Sequence, residues 1–114
     1  MRGMTINSRD LSNGWVAIEV EGEVDLATVS DLEDAIRSVQ DDGVSHLVVD
    51  LTGSSFMDST GLKALVMASR SFDSAGRQFA LAVSGGPVSR LLDLSGVNNA
   101  IRTVESVEEL GTGA

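Results

Sequence analysis

The spacing of apolar positions changes several times along the chain, and each change marks a new element. Val16, Ile18 and Val20 alternate with Ala17, Glu19 and Glu21, the pattern of a strand with one buried and one wetter face. Extended runs from Thr5 to Arg9 and from Trp15 to Glu23 flank Ser12-Asn13-Gly14, and Asn-Gly between such runs predicts a hairpin. The period then becomes helical: Val29, Leu32, Ala35, Ile36 and Val39 share a face. Asp25 and Thr28 are the candidate caps of this helix, and Asp41-Asp42-Gly43 ends it. His46 to Leu51 reads as a strand buried on both sides.

Thr52-Gly53-Ser54-Ser55 is expected to form a short loop, after which helical spacing returns. Leu62, Leu65, Val66, Ser69 and Phe72 fall on one face, so a second helix should start at Asp58 or Ser59, run to about Ala75 and stop at Gly76. Phe79 to Val83 is another buried strand. Gly86-Pro87 places proline in the first turn of a short helix with Val88, Leu91 and Leu92 inward, ended by Ser95-Gly96. Ala100 to Val104 is a last strand, and Ser106-Val107-Glu108-Glu109 has capping-box spacing for a final helix. The order β-β-α-β-α-β-α-β-α implies a single α/β domain with its core at about residues 5–110. Its mixed, mostly parallel sheet should have four to five strands and about four helices, with right-handed crossovers. The first hairpin arm is the antiparallel exception, and the two long helices should share a face.

Composition narrows the function. Among 114 residues, 42% are apolar and 22% charged, which suits an ordinary globular domain. Cysteine is absent, which excludes disulfides, thiolate nucleophiles and cysteine-bound metals. No apolar run has the length of a signal peptide or a membrane span, so a cytoplasmic location is expected. A net charge of −9 with eight scattered basic residues disfavours nucleic acid and acidic membrane surfaces. A basic protein partner would suit that charge, although the same charge also serves solubility.

Catalysis finds little support. The sole histidine, His46, opens a buried strand, and any Ser-His-Asp or metal-hydrolase arrangement would have to use it. Asp50 and Asp58 could pair around magnesium, but the chain lacks the glycine-rich phosphate-binding fingerprints that phosphoryl transfer of that kind requires. No catalytic residue, metal ligand or cofactor is assigned. The serine at the expected start of the second helix is more informative. A hydroxyl there lies among unpaired backbone N–H groups, at the positive end of the helix dipole. A phosphate is electrostatically tolerated in that position, so Ser59 could be modified without unfolding the chain. Thr60 is a second hydroxyl that chemistry alone leaves open as the acceptor, and Ser59 could equally be a plain N-cap. Phe56 and Met57 are expected in the core.

Phe56-Met57-Asp58-Ser59-Thr60-Gly61-Leu62 resembles the signature of the STAS family, in its branch of bacterial anti-sigma factor antagonists. Gly22-Glu23-Val24-Asp25-Leu26-Ala27-Thr28 resembles that family's turn into the first helix, and Arg90-Leu91-Leu92-Asp93-Leu94-Ser95-Gly96-Val97 resembles a later segment. The resemblance implies a non-enzymatic partner-switching protein. Unmodified, such a protein binds an anti-sigma factor that is also a serine kinase, and so frees the sigma factor. Phosphorylation of the serine after the motif aspartate ends binding, and a serine phosphatase resets it. By this resemblance Ser59 is the phosphoacceptor. Asp58, Thr60, Gly61 and Leu62 form the docking surface, with Asp25 and Leu26 at its edge. Gly61 is expected to leave the first helical turn bare. Many relatives carry a second glycine where this chain has Lys63, which could pair with the phosphate or with an acidic partner. No cofactor is implied, since ATP belongs to the kinase.

Two alternatives stand beside this reading. A STAS module could serve a lipid-transport or stress-signalling assembly or sense nucleotides, with the motif hydroxyls structural. A small hydrolase could use Ser59 with His46.

Overall fold

The computed structural model describes residues 3–11 and 14–111. Five strands form one sheet in the order β1-β2-β3-β4-β5: β1 Met4–Asp10, β2 Val16–Val24, β3 His46–Met57, β4 Gln78–Ala82 and β5 Arg102–Val104. β1 runs antiparallel to β2, with Met4 opposite Gly22 and Asp10 opposite Val16. All later neighbours are parallel. The hairpin and the mixed sheet are as the sequence implied, while residues 12 and 13 of the expected turn lie outside the described residues.

Helices α1 (Val29–Asp41), α2 (Ser59–Ser74) and α3 (Gly86–Ser95) pack their apolar faces on one side of the sheet. Leu32, Ile36 and Val39 from α1 meet Leu65, Ala68 and Phe72 from α2, over Ile18, Val20, Leu47, Val49 and Leu81. The long helices therefore share a face, as their matching stripes require. A smaller cluster on the opposite face holds Ala17, Val48, Ala80 and Ala82 under Trp15 and Leu110. Leu110 belongs to the short final helix α5 (Glu108–Gly111). Here the expected capping box forms: the Glu109 carboxylate accepts the Ser106 N–H at 3.0 Å, and Ser106 Oγ accepts the Glu108 N–H at 3.2 Å. A further turn of helix, α4 (Val97–Ala100), follows α3 and was not expected. It makes five helices among the described residues where about four were anticipated. Gly96, left-handed at φ 79°, ends α3 and starts α4.

The main departure concerns β3. Thr52-Gly53-Ser54-Ser55 is strand, not loop, because β2 continues beside it and supplies partners: Glu21 opposite Gly53, Gly22 opposite Ser54 and Val24 opposite Met57. Two register shifts, between Glu19 and Glu21 and between Gly22 and Glu23, accommodate the extra residues. The polar, glycine-bearing composition that suggested a loop is that of a bulged strand near the sheet's edge of exposure. Lengthening β3 brings the start of α2 level with the end of β2, Met57 lying opposite Val24.

Candidate functional site

The site lies at the carboxyl ends of parallel strands β2 and β3, where α/β sheets leave room for partners. Asp58 joins the two chain segments. Its N–H donates to the Val24 carbonyl at 3.1 Å, and its side chain caps α2 by accepting the N–H groups of Thr60 at 2.9 Å and Gly61 at 3.3 Å. The Thr60 hydroxyl also donates to this carboxylate. Above all through that hydroxyl, the Asp58 carboxyl is held below its ordinary value; partial burial opposes the shift, and the backbone N–H groups of Gly61, Thr60 and Leu26 reinforce it. Asp58 is thus an ionised cap that draws the β2–α1 loop against the mouth of α2.

This arrangement separates the two hydroxyls. The N-cap is Asp58, so Ser59 is not needed as a cap and takes the first helical position. Ser59 is exposed, and among the described residues its side chain makes no hydrogen bond. Thr60 is half-buried and engaged with Asp58. Lys63 is exposed one turn beyond Ser59 and forms no ion pair among the described residues; Leu62 is half-buried, packed against the core.

Two sequence expectations are corrected. Gly61 does not leave an open patch on the helix: it is buried, facing Val24 and Met57, because the capped first turn presses directly on the end of β2. Phe56 is not core but 40% exposed, since the added strand length turns it outward, whereas Met57 is buried. Asp25 also braces its own loop. Its carboxylate accepts the Ala27 N–H at 3.0 Å, and Thr28 Oγ1 accepts the Asp25 N–H at 3.0 Å while donating to the Glu23 carbonyl at 2.8 Å. Thr28 holds the N-cap position of α1 without capping it through its side chain. The loop so tightened projects Leu26, which is 77% exposed. An exposed leucine whose backbone N–H reaches the Asp58 carboxylate is the kind of apolar component that partner binding uses. Leu26 was expected at this edge; the exposure of Phe56 was missed, because an aromatic residue next to Met57 reads as core and nothing in the pattern marks its outward turn.

The catalytic alternatives fail on distance. His46 begins β3 and Ser59 follows its end, a separation of roughly 35 Å at strand rise. His46 instead meets Trp15 edge to face, ring centres 5.0 Å apart, and bonds Ser45 Oγ. Asp50 accepts from the backbone and hydroxyl of Thr52, and lies on the order of 25 Å along β3 from Asp58. No group of three metal-ligating side chains occurs among the described residues. No helix among them is long and apolar enough to cross a membrane.

The family model of the STAS domain matches residues 8–110. This chain belongs to the STAS family. An anti-sigma-F factor antagonist, RsfB of Mycobacterium tuberculosis, is 32% identical over 101 residues, covering 89% of this chain and 82% of that protein. An anti-sigma-B factor antagonist of Staphylococcus aureus is 28% identical over 91 residues, covering 80% of this chain and 84% of its own. The crystal structure of an anti-sigma factor antagonist from Mycobacterium paratuberculosis superposes with a TM-score of 0.87 at 27% identity, covering 94% of this STAS chain and 90% of the other.

Proposed function

We propose that this STAS domain is an anti-sigma factor antagonist switched by phosphorylation at Ser59. Unmodified, it binds an anti-sigma factor with serine kinase activity and so releases the sigma factor; phosphorylation ends binding, and a serine phosphatase restores it. The supporting observation is the unequal state of the neighbouring hydroxyls, with Ser59 exposed and unengaged while Thr60 is held by Asp58. The names of its relatives support the partner class. Leu26, Phe56, Leu62 and Lys63 supply the contact surface around the serine, with Asp58 as its organiser. The chain contributes no catalysis; the kinase supplies ATP.

The switch is electrostatic. Phosphate adds about −1.5 to −2 charges next to the ionised Asp58. A partner carboxylate roughly 5 Å away would be repelled by about 3 kcal/mol per charge pair at an effective dielectric near 20, more than about a hundredfold in affinity. The deciding experiment incubates the protein with its cognate anti-sigma kinase and ATP and maps phosphate by mass spectrometry. Modification confined to Ser59, with loss of the complex, is expected. A stable complex that survives stoichiometric phosphorylation would defeat the proposal.

A further inference from the structure

A phosphate on Ser59 would find few free donors at the mouth of α2. A helix start leaves its first backbone N–H groups without helical partners, but here those of Asp58, Thr60 and Gly61 are taken. The first donates to the Val24 carbonyl and the other two to the Asp58 carboxylate. That ionised carboxylate is also the immediate chain neighbour of Ser59, so a phosphate there meets a like charge. Its counter-ion has to come from elsewhere on the surface.

One cation is in reach. Lys63 follows Ser59 by one helical turn within α2, and both side chains are exposed. Residues at that i, i+4 spacing have Cβ atoms about 5–6 Å apart on the same helix face, a gap that a lysine stem spans. The order is the favourable one, with the anion on the N-terminal side of the cation. Lys63 is also uncommitted, forming no ion pair among the described residues. The charged groups facing this side of α2 are Glu33 and Arg37 of α1, which line the groove at Ala64 and Met67. Arg37 is already paired with Asp34 at 2.9 Å. Arg70, the next cation along α2, lies about 16 Å from Ser59 at helical rise.

We propose that Lys63 is the built-in counter-ion of the phosphate on Ser59, its ammonium folding back over the first turn of α2 to donate to the phosphate oxygens. The proposal rests on the reading of Ser59 as the acceptor and adds how that site is regulated. An ionised Asp58 alone would push the second ionisation of the phosphate, ordinarily at about pH 6, toward neutrality, leaving part of the population singly charged. Lys63 opposes that push and keeps the phosphate doubly charged. Phosphorylation then acts twice on the contact surface: it adds negative charge, and it withdraws the Lys63 ammonium from the partner.

The test uses the full chain with phosphoserine installed at position 59 during translation, so that no kinase is needed. Phosphorus NMR follows the phosphate through its second ionisation in wild type, Lys63→Gln, Lys63→Arg and Arg70→Gln. Lys63→Gln should raise that pKa by about 0.3–0.5 of a unit, the scale of an exposed i, i+4 pair. Lys63→Arg should keep the low value, since a guanidinium also serves phosphate. Arg70→Gln, an equal loss of charge beyond the screening length, should move it by less than about 0.1 of a unit. Lys63 is the only lysine of the chain, so labelled lysine gives one side-chain signal, and its titration should move to higher pH when the phosphate is present. Equal phosphate pKa values in wild type and Lys63→Gln would overturn the proposal, as would equal shifts from Lys63→Gln and Arg70→Gln, which would report net charge alone. Either result would leave the Ser59 switch standing, because that reading is decided separately by phosphate mapping with the kinase.

Discussion

Gly61 sits so close to Val24 that a Cβ added to the glycine would lie 2.7 Å from Val24 Cγ1 and 2.8 Å from Met57 Cγ. Met57 is flexible and could give way, but the valine methyl is fixed by its branched stem, so α2 itself would have to move. Gly61→Ala should therefore destabilise the protein even though alanine is the better helix former. Overpacking costs about 1–3 kcal/mol and helix propensity returns up to about 1 kcal/mol. A net loss of about 1–2 kcal/mol is expected, seen as a fall in Tm of roughly 5–10 °C. An unchanged or raised Tm would show that the first turn of α2 is not seated against β2 as described.

That contact also shows what the sequence conceals. The periodicity of α1 and α2 and the alternation in β2 are local properties, and both appear in the structure with boundaries within a residue or two. The inward orientation of Gly61 is not local. It depends on β3 running on through Thr52-Gly53-Ser54-Ser55 beside Glu21 to Val24, and pairing with a distant segment overrides the loop-like composition of those residues. Phe56 was misjudged for the same reason: the bulges in this region decide which way it faces. The start of α2 was legible because a helix start needs little tertiary information, whereas Leu26 entered only through the family resemblance. The unequal state of the Ser59 and Thr60 hydroxyls did need tertiary information, since the folded chain brings the Asp58 carboxylate onto the threonine.

The hydroxyl assignment leads to a pair of substitutions with opposite outcomes. Ser59→Ala should bind the anti-sigma kinase within a few-fold of the unmodified protein while taking up no phosphate. Ser59→Glu carries only part of the phosphate's charge and should bind at least about tenfold more weakly. Thr60→Ser retains the hydroxyl bonded to Asp58 and should be phosphorylated at position 59 as before. Affinity by surface plasmon resonance and radiolabel incorporation read these results. Equal affinity for Ser59→Glu and wild type would remove the electrostatic basis of the switch.

Asp58 predicts a dependence on acid. Its folded-state pKa lies below the ordinary value of 3.8 because the Thr60 hydroxyl and three backbone N–H groups favour the carboxylate. A group so depressed contributes stability that is complete above the unfolded-state value and is lost as pH falls through the folded-state value. Asn also caps helices well but does not titrate, so Asp58→Asn isolates the charge. Wild type should be the more stable of the two at neutral pH, and the difference should shrink progressively below about pH 4. Urea midpoints measured from pH 7 to pH 2 would test this; parallel curves for the two proteins would mean that ionisation of Asp58 is not what holds the site together.

Leu26 separates binding from folding. At 77% exposure its side chain contributes little to the core, so Leu26→Ala should change unfolding free energy by no more than about 0.5 kcal/mol. The same leucine stands on a loop fastened to Asp58 through its backbone N–H, and an apolar anchor at the centre of an interface typically costs more than about 1 kcal/mol when truncated. Affinity for the anti-sigma partner should therefore drop roughly fivefold or more while the urea midpoint stays in place. If the midpoint shifts along with the affinity, the leucine supports the loop and the contact surface must be centred elsewhere, on Phe56 and Lys63. If neither changes, the β2–α1 loop lies outside the interface, and docking is confined to the first turns of α2.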